Sequence, residues 1–244
     1  MADIKKCKTI LNFGAGVNST ALAIELKNRN IVPDFTIFSD TGEELPETYS
    51  HIERMKIWFI ENRFKFIIVQ HDTYYPLYLY YKSRNTLPFR KFRDCSDKFK
   101  KVPIKRFIKQ FKNEGVIQMI GISYEEATRM RTSDIKWITF KFPLVDWKID
   151  RNKCVEIIKK EGLDIPVKSG CFMCPFQSDV SWSKLYKTKK ELWKKAREME
   201  ESNRTYPKNT LRWSGTLKNL ESSIKSQTTL SEFDDKICGG YCFT

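Results

Sequence analysis

Histidine is almost missing from this chain: there are two in 244 residues. His51 falls in a helix-patterned stretch and reads as structural, while His71 follows a β-rich run and is the one that could reach a site. A nucleophilic triad built on imidazole therefore has no support. Long apolar runs are also missing. Nothing approaches the ~18 residues of a spanning helix, so no membrane partner is expected. The opening MADIKKCK has no apolar stretch behind its lysines and does not read as a secretory signal, so a cytoplasmic setting is expected. Its seven cysteines are then expected as reduced thiols or metal ligands, not as a disulfide framework. Internal repeats and low-complexity tracts are absent too.

What is present is a globular composition, 41% hydrophobic and 14% aromatic, long enough to bury a core. Net charge is +14, from 44 basic and 30 acidic residues. The excess is concentrated: residues 82–112 carry twelve Lys or Arg against Asp94 and Asp97. A polyanion is the natural partner of such a segment, either a nucleic acid or a highly charged nucleotide. Residues 74–94 (YYPLYLYYKSRNTLPFRKFRD) interleave aromatic and basic side chains. That pattern suits base stacking and an inserted packing subdomain equally.

The organisation is α/β. Residues 8–13 form a short β-rich run ending at Gly14, and residues 19–28 read as a helix apolar on most sides. Phe35-Thr-Ile-Phe38 is a second strand, ending in Ser39-Asp40-Thr41-Gly42. Thr41 and Glu44 have capping-box spacing, and Pro46 suits the first turn of the helix that follows. Tyr49, Ile52, Met55 and Phe59 stripe that helix at a period of 3.6. Residues 66–69 and 116–122 complete four strands. Alternating strands and helices predict a parallel twisted sheet with helices on both faces, and ligands beyond the carboxyl ends of the strands. Residues 181–203 read as one long amphipathic helix, and from Arg204 onward no periodicity is clear. The expected division is a nucleotide-binding domain over 1–150, with a basic and aromatic insertion at 72–112, and a cysteine-rich helical region over 151–244.

The stretch NFGAGVNSTAL after the first strand looks like a phosphate-binding turn, yet it has no lysine, so it is not a Walker loop. Gly14, Ala15, Gly16 and Val17 let backbone approach an anion closely. Asn18, Ser19 and Thr20 add polar groups at a helix N-terminus, where N–H groups are unpaired and the dipole is positive. Further on, Cys171-Phe-Met-Cys174-Pro aims two thiols at one metal. Cys154 patterns with Ile157 and Ile158 as core, and Cys7 has no visible partner.

The loop, then SDTGEELPETY, RDCSDKFKKVPIKRF, GISYEEATRMR and GCFMCPF, in that order, resemble the PP-loop ATP pyrophosphatase superfamily. The similarity is greatest to its phosphoadenosine phosphosulfate (PAPS) reductase-like branch and spans roughly residues 8–177. In that superfamily the loop usually reads SGGxDS; here Gly14 replaces the serine, Ala15 the first glycine of the pair and Asn18 the aspartate. The resemblance implies an adenine nucleotide, ATP or PAPS, held by residues 14–20 with Asp40 and Thr41, and magnesium with it. It implies catalytic roles for Asn18, Ser19, Asp40, Arg129 and, in the tail, Cys242. It also implies a metal centre on Cys95, Cys171, Cys174 and Cys238, a [4Fe–4S] cluster or, alternatively, zinc.

Three functions follow. The first is an enzyme that adenylates an acceptor for sulfur transfer. Its partners would be a tRNA or DNA bound through residues 82–112 and a sulfur-donor protein. The second is a sulfonucleotide reductase using a tail cysteine. The third is a non-catalytic nucleic-acid-binding module with structural zinc.

Overall fold

A computed structural model describes residues 7–226. In chain order its elements are β1 (Lys8–Asn12), α1 (Val17–Asn28), β2 (Phe35–Asp40), α2 (Pro46–Glu61), β3 (Phe66–Gln70), α3 (Leu77–Lys82), α4 (Asp94–Ser96), α5 (Val102–Ile108), β4 (Val116–Ile120), β5 (Ile138–Lys141), α6 (Pro143–Asp146), α7 (Arg151–Lys160), α8 (Asp179–Thr188), α9 (Lys190–Glu201) and α10 (Leu217–Ser226). The described chain divides into two compact units that interleave in sequence: residues 7–40, 44–70 and 100–169 form the first, and residues 41–43, 71–99 and 170–226 the second.

The first unit is a five-stranded sheet, all parallel, in the order β3-β2-β1-β4-β5. Burial on both faces explains why its strands are apolar runs and not alternating ones. Ile10 and Leu11, both without exposed surface, point to opposite faces because successive strand residues do. Leu11, Phe13, Phe38 and Met119 pack under α1, α2 and α7. Ile10, Ile37, Val116 and Ile138 pack with Ile108 of α5 and the neighbouring rings of Phe107 and Phe111. Helices therefore cover both faces, as the strand–helix alternation predicts. The order reverses beside β1, whose neighbours are β2 and β4, so the crevice outside the carboxyl ends of β1 and β4 is the topological switch point.

Several local expectations are corrected. α2 starts at Pro46 with Leu45 as its cap, so Thr41 and Glu44 form no capping box; Thr41 Oγ1 instead accepts the Glu43 N–H. The stretch 181–203 is two helices, broken at Lys189 (φ −138°, ψ 66°). Around the break Trp193 packs edge-on against Trp182 and Tyr186, with ring centroids 6.4 and 5.1 Å apart. No Gly or Pro marks the break; aromatic packing overrides helix propensity there. β5 and α10 carry too short or too weak a pattern to be read from sequence.

Candidate functional site

In the first unit the loop after β1 turns tightly into α1. Ala15 holds a left-handed backbone (φ 56°), a conformation that costs a non-glycine residue about 1 kcal/mol. It sits where the resembled loops carry glycine. Gly16 caps α1 in extended conformation, and having no side chain it leaves the first N–H groups of the helix without a cap acceptor. The Ser19 hydroxyl turns back onto Gly16, accepting from its N–H at 3.2 Å and donating to its carbonyl at 3.0 Å. Thr20 is fully buried, and its hydroxyl pairs with His51 Nε2 at 2.9 Å. Burial, and then the charge of Arg54, push the His51 pKa down to about 4, so the ring is neutral. These two hydroxyls thus order the loop from inside.

The next strand of the crevice sets the loop's back wall. Gly121 follows β4, and a Cβ there would lie 2.9 Å from Ser19 N and 3.0 Å from the Asn18 carbonyl carbon. Only glycine permits that approach, because the obstacle is backbone. Asn18 is spent on both sides: Nδ2 donates to Ser123 Oγ (3.1 Å) and Glu126 Oε2 (3.0 Å), and Oδ1 accepts from Arg151 (2.9 Å). An amide suits this position because it meets a carboxylate and a guanidinium at once; an aspartate would face Glu126 with like charge. Arg129 forms an ion pair with Glu126. Asp40 closes β2 and accepts the Tyr49 hydroxyl at 2.8 Å. Burial, with the Asp40 charge beside it, raises the Tyr49 pKa and keeps it protonated. Gly121, Ser123 and Arg151 were not singled out from sequence. A glycine ending a strand is the one signal that could have found the first of them.

The second unit holds the cysteine turn. The Cys174 N–H donates to the Cys171 carbonyl at 3.0 Å, and Gln177 Nε2 donates to the carbonyls of Phe172 (2.7 Å) and Cys171 (3.3 Å). The segment 41–43 joins this turn: the Thr41 hydroxyl lies 3.1 Å from Cys171 Sγ, and the Phe172 N–H donates to the Glu43 carbonyl at 2.9 Å. Gly42 (φ 77°) is pressed against Tyr75 and Pro76, where a Cβ would fall 2.5 Å from the proline Cβ. Arg90 donates Nε–H to the Pro175 carbonyl at 2.8 Å, and burial lowers its pKa from the ordinary guanidinium value. Tyr81, whose pKa burial and then Cys95 drive up, donates to Asp94 at 2.7 Å.

Among the described residues, no three His, Cys, Asp or Glu side chains gather closely enough to hold a metal ion. Cys95, Cys171 and Cys174 are the described members of the expected metal set. Cys238 and Cys242, the remaining members of the expected metal and catalytic sets, lie outside the described residues. Cys154 is buried, and its thiol pKa is pushed up to about 12 by that burial, as a core role requires.

These features, a reversed parallel sheet with a lysine-free glycine loop at its switch point, define an open parallel α/β protein. Comparison with known proteins agrees at the level of fold. No protein-family model matches the chain. The uncharacterised protein MJ0066 of Methanocaldococcus jannaschii is 27% identical over 178 residues, 65% of this chain and 34% of that one. The match thus spans about a third of that relative's length. Phosphoadenylyl-sulfate reductase from Candida auris, solved as a phosphate complex, has the same fold: TM-score 0.52, 14% identity, 68% of this chain and 78% of the reductase. The U34-tRNA thiolase NcsA from Methanococcus maripaludis, solved with its [4Fe-4S] cluster, superposes with a TM-score of 0.48 at 16% identity over 84% of this chain and 75% of the thiolase. The fold of this chain is thus the α/β fold of that phosphoadenylyl-sulfate reductase.

Proposed function

We propose that the chain is an ATP-binding enzyme that seats the nucleotide phosphates on residues 14–20 and adenylates an acceptor. The observation that carries this reading is the Gly121 contact: it holds the uncapped N-terminus of α1 at the switch point, where donors are aimed before any ligand arrives. Arg151, through Asn18, brings a cation to the same loop. The acceptor oxygen attacks the α-phosphorus, the bond to the bridging oxygen of the β-phosphate breaks, and pyrophosphate leaves. A sulfur nucleophile then displaces AMP at the acceptor carbon, supplied in this reading by a sulfur-donor protein. Catalysis rests on positioning and on backbone N–H groups that meet the growing phosphate charge. Magnesium would arrive on the phosphates, which with water supply most of its oxygen ligands. No step is assigned to an iron–sulfur cluster. The acceptor is a nucleic acid, drawn by the basic segment 82–112.

Calorimetric titration of Mg·ATP and of PAPS into protein purified without oxygen tests the reading. Binding of ATP with little affinity for PAPS, followed by exchange of labelled pyrophosphate into ATP when acceptor is present, is the expected result. Tight PAPS binding would transfer the assignment to sulfonucleotide reduction.

A further inference from the structure

Trp213 is the most exposed large apolar side chain of the described residues, at 76%, yet its surroundings are among the most tightly held. Arg212 before it is 6% exposed and bidentate to Asp179 at 2.9 and 2.8 Å, with a third bond to the Thr216 carbonyl at 3.0 Å. Ser214 after it donates to the same Asp179 at 2.7 Å. A bridge between Arg212 and Gly215 closes the turn. A bidentate ion pair, its guanidinium buried and its carboxylate half-exposed, is thus used to hold an indole in water. An exposed tryptophan forgoes roughly 2–3 kcal/mol of burial, and a rigid one is pre-organised for a ligand. The guanidinium of Arg90, itself oriented by the Pro175 carbonyl, lies 4.6 Å from the indole centroid.

The same stretch presents more rings of this kind. Phe92 is 64% and Tyr206 51% exposed. Phe89 links them, with centroids 5.8 Å from Phe92 and 4.7 Å from Tyr206. Phe89 and Tyr206 also wall a cavity of about 390 Å³ that Tyr80, Tyr81 and Asp94 help to line, within the size range of small-ligand pockets. Lys91, Arg204 and Lys208 lie in the same two segments as these rings. Three acidic groups nearby each have a partner in the protein: Asp94 is bonded to Tyr81, Asp179 to Arg212, and Glu200 to the N–H groups of Leu211 and Leu217. Rings alternating with uncompensated cations are the make-up of a platform that stacks successive bases while tracking a backbone. A protein partner would not need so one-sided a charge.

We infer that Trp213, Phe92 and Tyr206 form a stacking platform for single-stranded RNA. Unpaired bases are the ordinary state of RNA loops and ends, whereas a duplex hides the ring faces this surface would cover. The inference names the acceptor class of the adenylation reading and rests on that reading for its meaning in the reaction, but its binding test stands apart.

The test is fluorescence anisotropy with a labelled, non-self-pairing 12-nucleotide RNA, its duplex and the matching single-stranded DNA. Trp213→Ala should weaken RNA-strand binding about tenfold or more, while Trp213→Phe, which keeps a ring, stays within about threefold. The duplex should be indifferent to either change. The salt slope should be unaltered by Trp213→Ala and flattened by Lys91→Ala. Equal affinity of Trp213→Ala and the parent chain, an equal loss on strand and duplex, or a preference for the DNA strand would overturn the inference. The phenylalanine variant and a circular dichroism melt exclude misfolding as the cause. ATP titrated without RNA reads the adenylation proposal alone. Trp213-dependent RNA binding without ATP binding sinks that proposal and keeps this one; ATP binding with Trp213-independent RNA binding does the reverse.

Discussion

At the scale of single residues, position 18 shows how one substitution reorganises a loop. The resembled loops carry aspartate there; this chain carries an amide that donates to Glu126 and accepts from Arg151. Asn18→Asp removes two donated hydrogen bonds and sets two carboxylates against each other. One carboxyl of the pair then has a folded pKa above its unfolded value, so the folded state binds the extra proton more tightly. The variant's deficit should accordingly be about 1–3 kcal/mol at pH 7 and shrink as pH falls toward 4. Urea unfolding of both proteins at the two pH values checks this, and a deficit that grows in acid would refute it. Gly121→Ala places a methyl 2.9 Å from backbone. It should cost about 1–3 kcal/mol of stability and weaken phosphate binding, read by the same melts and by calorimetry with ATP. Neither Gly121 nor Arg151 stood out in the sequence. A glycine's meaning depends on what approaches it, and what approaches Gly121 is more than a hundred residues away in the chain.

Among the elements, α1 and α2 are joined by the buried Thr20–His51 bond. His51 has a folded pKa near 4 against an unfolded value of about 6.5. The unfolded chain therefore takes up a proton first as pH drops, and stability is lost between about pH 6.5 and 4. That contribution should amount to as much as ~3 kcal/mol. His51→Gln should flatten this part of the stability–pH curve in denaturant titrations. Four of the five strands, and the helices α1 and α2, were legible because apolar periodicity is set locally. The break at Lys189 was not, since Trp182, Tyr186 and Trp193 impose it through tertiary packing. The Thr41–Glu44 capping box was predicted for a similar reason: its spacing is correct, but Thr41 is drawn toward Cys171 and Glu43 instead.

For the whole molecule, the proposed encounter with a nucleic acid would be governed by the charge distribution. Lys105 and Lys109 belong to the basic segment and are exposed around α5. Reversing both to glutamate should lower nucleic-acid affinity at low salt and flatten the slope of log affinity against log salt. An unchanged slope in anisotropy titrations at 50 and 200 mM salt, taken as working concentrations of about that size, would remove this segment from the interface. The compact units likewise emerge only at this scale. Segment 41–43 is counted with the cysteine turn although it follows β2 directly in the chain, through bonds no sequence pattern announces.

The sequence by itself determined the α/β class, the parallel sheet, the glycine loop at a strand end and the position of the basic excess. Each of these is written in local periodicity, local composition or a short motif. Only the tertiary structure decided the rest: Gly121 against the loop, Asn18 between Glu126 and Arg151, Thr41 on Cys171, and Trp213 held out by Arg212 and Asp179. Each is a meeting of residues distant in the chain, and neither propensity nor spacing encodes which distant groups will share a surface.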